Sequence, residues 1–555
     1  MAFWSLTLAA FGAIDWAVVV CYFILILGIG VWTSRDQSDE QTYFVGGHTM
    51  PIWAVTLSVL ATALSAATFI GAPQITYIGD LKYLILNIGG LIAALIVAMV
   101  FIPAFYRSGS LTIYGYLGKR FGTVSMMVSS IVFLMGRFLA SGVRLFMAGI
   151  AVSMVLFGDI EVFSLVFSIL LFGVFATLYT AVGGIRAVIW TDVLQIILVV
   201  GAALFSIYLL LDLIPMSMQE IVGVLRHHPE QNKLQILDFS ANLSDPFTLW
   251  AALAATLTSI AAYGVDHDLA QRLLTLRSSW RGSLALILSN ILAVPVVGLF
   301  LAIGLLLAVY YGMPELMGLS APADAIDDSR KVYPQFLINH LPTGFTGLAV
   351  SGLVAAAMSS FDSAINAMAS TVVADIYLPW IRWRERVCRQ RRICVRCGYD
   401  LRKVTLVCSE CGASLDTPIQ FRGLHVSRCV VVTIGVILTL VATSFVFVQQ
   451  SSGQDLINFA LGIMSFAYAG LLGVFLTALL TRRGNTTSVV SGIIVGPVVV
   501  LMVQPYVLPH ILHVVGCQEF SLAWPWWMVL GTTASFLVCL SGRGRSTTVD
   551  LPEHH

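Results

Sequence analysis

The chain has 555 residues, 58% of them hydrophobic and only 11% charged, with a formal net charge of +1; its mean hydropathy is +0.90. This is the composition of an all-α polytopic membrane protein, and it excludes a soluble globular domain. The near-neutral balance argues against a general nucleic-acid binder, and the nine cysteines show no disulfide framework.

Windows of about 20 apolar residues predict about thirteen spans: 12–33, 52–79, 82–106, 124–157, 161–182, 186–212, 247–272, 283–311, 344–378, 428–448, 455–480, 486–508 and 524–541. The first reads as a retained helix, because no basic n-region of a cleavable signal peptide precedes it. Basic residues follow alternate spans: Arg107, Lys119 and Arg120, then Arg272, Arg277 and Arg281, then a block from Arg382 to Lys403, then Arg482 and Arg483, then Arg543 and Arg545. All fall on one side, which is therefore expected to be cytoplasmic. The expectation is a multi-pass protein of the cell (plasma or inner) membrane, with the N-terminus outside and the C-terminus in the cytoplasm. Loops 213–246 and 312–343 are then external.

Spans two to six and seven to eleven are two groups of five that start on opposite sides, which permits an inverted repeat. The expected organisation is an extra N-terminal helix and cytoplasmic loop (1–50), a first repeat (51–212), an external loop (213–246), a second repeat (247–481) with an insert at 388–416, and C-terminal helices and tail (482–555). The first helix of each repeat should be broken near the midplane. Gly71 and Pro73 interrupt span two, and Gly264 precedes Asp266, His267 and Asp268 in span seven.

Span nine carries a polar stripe within GLVAAAMSSFDSAINAMASTVVADIY, residues 352–377. Ala356, Ser359, Ser360 and Ser363 follow the i, i+3, i+4, i+7 rule and share a helix face; Ser359, Asp362, Ser363 and Asn366 form a second, slightly rotated set. Lipid cannot satisfy such a stripe. It serves either as close-packing glue between helices or as a hydroxyl and carboxylate site for a hard cation.

Four stretches, taken in order, resemble the sodium:solute symporter family: YFVGGH from Tyr43 leading through Trp53 to LSAATFIGAP, YTAVGGIRAVIWTDVLQ (179–195), YGVDHDLAQR (263–272), and AAAMSSFDSAIN in span nine. The resemblance implies a 5+5 inverted-repeat, LeuT-like core and sodium-driven import of a small polar or anionic organic solute. It implies a sodium site at the carbonyls of Ala61, Leu64 and Ala356 and the hydroxyls of Ser359 and Ser360, and a possible second cation site at Asp192, Asp362 and Ser363 together with Ser359. Two buried carboxylates need a second sodium ion, a shared proton, or hydrogen bonds from neighbouring hydroxyls. Solute contacts are expected from Ala63, Ser65, Ala67 and Thr68 on span two and from Tyr263, Asp266 and His267 on span seven. Arg137, deep in span four with Arg144, is either half of a structural salt bridge or a clamp for a solute carboxylate. The stretch TIYGYLGKRF departs from the family pattern, with Gly115 and Gly118 where many relatives are acidic.

After span nine, Cys394-x-x-Cys397 and Cys408-x-x-Cys411, each followed by glycine (Gly398 and Gly412), resemble a zinc ribbon. Four thiolates make a closed, structural Zn²⁺ site, and cytosolic thiols stay reduced, so metal is favoured over free thiols. The preceding arginine run fixes topology, or contacts anionic lipid or nucleic acid. The insert also motivates a second reading, a transporter-like sensor signalling through the ribbon. A membrane enzyme has little support, since no histidine is placed in sequence to pair with Ser359.

Overall fold

A computed structural model describes residues 11–35, 39–64, 66–229, 231–318, 328–391, 423–452, 456–504, 507–508 and 521–544. Among these residues the chain is helical and without strands. Seven helices are long and apolar enough to cross a membrane, or up to nine if each of two bent pairs is one span. The four cysteines of the expected zinc ribbon, and Ser65, lie outside the described residues.

The helices that matter for the site are α1 (Ala13–Ser34), α2 (Glu40–Val45), α3 (Ile52–Ala63), α4 (Ala66–Ile78), α5 (Lys82–Ser108), α6 (Ile113–Phe121), α7 (Thr123–Phe157) and α8 (Val162–Leu213). After α9 (Met218–Arg226) come α10 (Leu249–Gly264), α11 (His267–Leu274), α12 (Ser279–Tyr310), α13 (Val332–His340) and α14 (Phe345–Thr371). A π-helical stretch, Val372–Tyr377, joins α14 to α15 (Leu378–Arg391). The last helices are α16 (Gly423–Ser452), α17 (Leu456–Leu480), α18 (Thr486–Met502) and α19 (Trp524–Leu540).

Helices α3 and α4 form one bent pair and α10 and α11 the other, each bent by 54°. The second break falls at Val265–Asp266, directly after Gly264, as expected. The first does not fall at Gly71 and Pro73, which remain inside α4. It falls at Leu64, whose backbone turns to φ −89°, ψ 94°. A proline costs one hydrogen bond and tilts a helix without unwinding it when neighbours re-satisfy the freed carbonyl. Thr76 also bonds back to this turn, and to Leu301 O at 2.8 Å.

The long helix that follows each bent pair packs against the other pair: α5 against α10, and α12 against α3 and α4. Glycines make the crossings close. A Cβ on Gly89 would come 2.5 Å from Ala252 O, and one on Gly304 2.2 Å from Pro73 O. With no hydrophobic driving force between helices in lipid, such close approach supplies the packing energy.

Helix α8 is 52 residues of continuous helical hydrogen bonding interrupted at Gly184, φ 57°, ψ −160°. At about 1.5 Å per residue a straight helix of that length overshoots a bilayer more than twofold. It instead doubles back. On α1, adjacent residues touch both arms: Phe23 packs edge-on to Phe175 at 4.5 Å between centroids, and Tyr22 meets Gln195 at 3.4 Å. The two spans expected at 161–182 and 186–212 are therefore separate arms.

On the side expected to be external, Asp15 of α1 accepts from the backbone N–H groups of Gly344 (2.7 Å) and Gly347 (2.8 Å), capping the N-terminus of α14. Lys233 is buried and places its ammonium on the carbonyls of Tyr77, Ile78 and Gly79, capping the C-terminus of α4. Lys82 pairs with Asp238 at 2.9 Å. The 213–246 loop is thus clasped onto the outer end of the first bent pair.

Candidate functional site: a buried charge network between the broken helices

The four motif stretches converge. The Tyr43 hydroxyl lies 3.2 Å from Thr180 O and 3.1 Å from Ala181 O, at the turn of α8. Arg186 donates to Gly46 O, and Gln271 donates to Phe44 O at 2.8 Å. His48 donates from Nδ1 to Leu274 O at 2.6 Å. The short 43–48 stretch therefore pins the α8 turn to α11.

Helix α14 runs through the centre, buried on every side from Ala349 to Thr371. Its cost in polar groups is met by neighbours on α3, α8 and α11. Asp192 on α8 accepts from Ser58 of α3 and Ser359 of α14, and pairs with Arg272 of α11 through Nη2 at 3.2 Å. Arg272 also donates to Ser58 Oγ (2.9 Å) and to Asp268 Oδ1 (2.7 Å), one turn back on its own helix. Asp268 is shared with Arg137 of α7, which also meets Asp266 at 2.7 Å. Asp266 accepts in turn from the Tyr468 hydroxyl of α17 at 2.6 Å. Arg144 adds its positive charge to the field at Asp268. Asp192, Asp266, Asp268, Arg137 and Arg272 are all buried, a setting in which one partner cannot be lost cheaply.

Of the expected sodium ligands, Ala61, Leu64 and Ala356 fall in one packed cluster where α14 passes the break between α3 and α4. Helix geometry leaves the carbonyls of the last α3 turn without donors four residues on. Ser359 is bonded to Asp192, whereas the Ser360 hydroxyl is buried with no partner among the described residues.

Of the expected second site, Asp192 and Ser359 are bonded to each other, and Asp192 also takes Ser58 and Arg272, whereas Asp362 accepts from the Tyr179 hydroxyl and Ser363 donates to Asp268 at 3.3 Å. Among the solute candidates, Arg137 and Asp266 are bonded to each other. The geometry of this pair is that of a buried salt bridge; a solute carboxylate at Arg137 would have to displace an aspartate. His267 meets Ser370 Oγ through Nε2 at 3.1 Å; since Ser370 spends its proton on Ala367 O, the imidazole donates there, and its Nδ1 is left without a partner among the described residues. With Tyr106, Phe105 and Leu273, Tyr263 lines a narrow gap between α5 and α11. Ala63 ends α3, and Ala67 and Thr68 open α4 at the break.

Arg272 was expected in the cytoplasmic loop after span seven, and the sequence marked Arg137 and Arg144 as the basic residues deep in a span. Arg272 is instead fully buried beside them. Asp268, four residues earlier in DHDLAQR, is the signal that could have shown it, because an i, i+4 Asp–Arg pair sits on one helix face. Ser58, Gln195 and Tyr468 carried no such signal.

Comparison with known proteins agrees with this geometry. The profile of the sodium:solute symporter family matches residues 43–396. The chain is 26% identical to the sodium/sialic acid symporter NanT of Aliivibrio fischeri, over 89% of this chain and 88% of that protein. It is 28% identical to the human sodium/iodide cotransporter over 67% of this chain, spanning 57% of that longer protein. A solved structure of a Na⁺-coupled sialic acid symporter, substrate-bound and outward-open, superposes with a TM-score of 0.74 at 24% identity, over 96% of this chain and 97% of that one, and so shares the fold. On the family match and the convergence of its four motifs around the broken helices, the chain belongs to the sodium:solute symporter family of membrane transporters and is not an enzyme.

Proposed function

We propose that the protein imports a small polar or anionic organic solute, coupled to sodium, by alternating access. One observation carries this reading: the non-helical backbone at Leu64 lies in the same packed cluster as Ala356 of α14, one turn before the buried Ser360 hydroxyl, which has no partner among the described residues. Sodium sits there, on the carbonyls of Ala61, Leu64 and Ala356 and the hydroxyls of Ser359 and Ser360. Five neutral oxygens suit a monovalent hard cation, whereas Ca²⁺ sites usually recruit carboxylates. Iodide, sialic acid and monocarboxylates, named for the relatives, are anions, which favours an anionic solute here. The solute lies at the bend, against Ala63, Ser65, Ala67, Thr68 and His267.

The proposed core is the two repeats at 51–212 and 247–481. Counting each arm of α8 and the three shorter apolar helices 465–480, 486–502 and 524–540 brings the crossings to thirteen, with the N-terminus outside. The insert at 388–416 holds one structural zinc ion on Cys394, Cys397, Cys408 and Cys411. Membership of a transporter family favours flux over the sensor alternative.

Purified protein in proteoliposomes tests the function. With an inward sodium gradient, a panel of small organic anions should include one that accumulates above its equilibrium level, and replacing sodium by potassium should abolish this. Saturable solute binding with no flux under any gradient would refute transport and leave a sensor.

A further inference from the structure

The stretch TIYGYLGKRF, in which Gly115 and Gly118 stand where many relatives are acidic, forms the cap and body of α6. Both ends of this helix are fastened to others. The Thr112 hydroxyl accepts from the Gly115 N–H at 3.1 Å and donates to the Asp375 carboxylate at 2.7 Å, in the π-helical end of α14. Ser130 of α7 donates to the same carboxylate at 2.9 Å. A carboxylate there also suits the positive end of the helix dipole. Further along, Tyr116 donates to Ala478 O at 3.2 Å, and Arg120 caps the C-terminus of α17 on the carbonyls of Ala478 and Thr481. A Cβ on Gly115 would stand 2.7 Å from Ser110 Cβ, and one on Gly118 2.9 Å from Met126 Sδ, so the two glycines let α6 seat closely. The helix is a strut fixed to α7, α14 and α17.

The middle of the strut reaches the second bend. Tyr114 is buried, and its hydroxyl donates to Val265 O at 2.8 Å. Val265 directly precedes Asp266, whose φ −79°, ψ 117° interrupts the helix. The two bends therefore differ. The carbonyls at the first are those proposed for sodium, whereas the carbonyl at the second is met by a side chain. The ion pairs of Arg137 with Asp266 and Asp268 cross the same boundary, but they join side chains that can swing with their helices. The Tyr114 bond holds backbone at the bend itself. On the other side of α11, the Tyr106 hydroxyl of α5 lies 2.8 Å from Leu273 O and 2.9 Å from Leu276 O. Between α5 and α6 stands Gly109, at φ 57° with nothing within 4 Å of an added Cβ. That glycine can turn without a clash, as a hinge requires.

We infer that α6 is a latch on the second broken helix, with Tyr114 as its positioning residue. While Tyr114 holds Val265 O, the bend is fixed against the strut. When the bond parts, α11 moves with α5 about Gly109, opening a path from the bend along α11. The inference rests on the alternating-access reading above and assigns one of its movements to named residues.

Hydrogen–deuterium exchange of the purified full-length protein, in sodium buffer without solute, tests it. Tyr114→Phe keeps the ring against Phe133 and Phe475 and removes only the hydroxyl. Exchange in peptides covering 265–274 should quicken roughly 2- to 10-fold, the worth of one net hydrogen bond. Tyr116→Phe, on the same helix but bonded to α17, should leave those peptides at the wild-type rate. Unchanged exchange at 265–274 in Tyr114→Phe overturns the latch. So does an equal rise in Tyr116→Phe, or a rise spread evenly over all helices, either of which makes α6 a packing element. Such a failure leaves the transport reading standing, because no gradient or flux enters the measurement. Absence of flux in proteoliposomes overturns the transport reading and leaves the exchange difference as it is.

Discussion

Arg272 and Asp192 join the second bent pair to the hairpin helix α8 through a buried contact of 3.2 Å, so the two proposed repeats are tied by charge at their centre. Arg272→Gln should strand Asp192, with a loss on the order of 3–5 kcal/mol, the usual cost of removing one partner of a buried pair. Asp192→Asn in the same chain should recover part of that loss. Thermal unfolding of the two single variants and the double variant closes the cycle; strictly additive losses would show that the pair contributes no coupling.

The two serines of the proposed sodium site should behave differently. The Ser360 hydroxyl has no partner among the described residues, so Ser360→Ala should leave thermal stability near wild type and raise the half-saturating sodium concentration. A lost ligand worth roughly 1–3 kcal/mol corresponds to about 5- to 150-fold. Ser359→Ala also strips a hydrogen bond from Asp192 and should lower stability as well. Equal sodium half-saturation in wild type and Ser360→Ala would place the ion elsewhere.

Gly304→Ala should damage the crossing of α12 over α4, because its Cβ would stand 2.2 Å from Pro73 O and 2.1 Å from Thr76 Oγ1. Backbone cannot retreat as a side chain can, and overpacking of this kind costs typically about 1–3 kcal/mol. Gly298→Ala, on the same helix with nothing within 4 Å of the added carbon, should be tolerated. Melting temperatures of the two variants should therefore diverge; equal values would mean the crossing can spread.

The clasp of the 213–246 loop should be insensitive to mild acid. The backbone N–H of Ser240, and after it the Lys82 ammonium, hold the Asp238 carboxyl down at about 2. A depressed carboxyl contributes fully above its ordinary value of about 4 and loses that contribution only as pH falls to about 2. The difference in thermal stability between wild type and Asp238→Asn should stay constant from about pH 8 to about pH 5. A difference that shrinks across that range would contradict the assignment.

The insert at 388–416 should bring about one zinc ion per chain, the content of a single four-thiolate site. Cys394→Ser combined with Cys397→Ser should abolish it while uptake persists at least in part. Elemental analysis of protein purified without chelators settles the count, and zinc-free wild type would refute the ribbon.

Much of this arrangement was legible because motif and period act locally. The polar face of α14 follows from the spacing of Ser359, Ser360 and Ser363, and the break after Gly264 from its neighbours Asp266 and Asp268. The first break was misplaced because Leu64 carries no glycine or proline signal; its backbone unwinds within a tertiary setting in which α14 and α12 surround it. The partners of Asp192, Asp362 and Asp266 were hidden for a related reason. Ser58, Tyr179 and Tyr468 lie 134, 183 and 202 residues away in sequence, and no local pattern reports a contact at that range.

The turn at Gly184 also bears on how the chain enters the bilayer. A Cβ there would meet Tyr43 O at 2.7 Å, so the tip is sealed by the 43–48 stretch with no residues to spare for a loop. The two arms are therefore expected to partition into lipid together, as a helical hairpin. Arg186, beside the tip and bonded to Gly46 O, is the charge expected to hold this end of the hairpin on its side of the membrane. Lengthening the turn, or moving that arginine, should show first as molecules threaded the wrong way, before any change in their affinity for sodium.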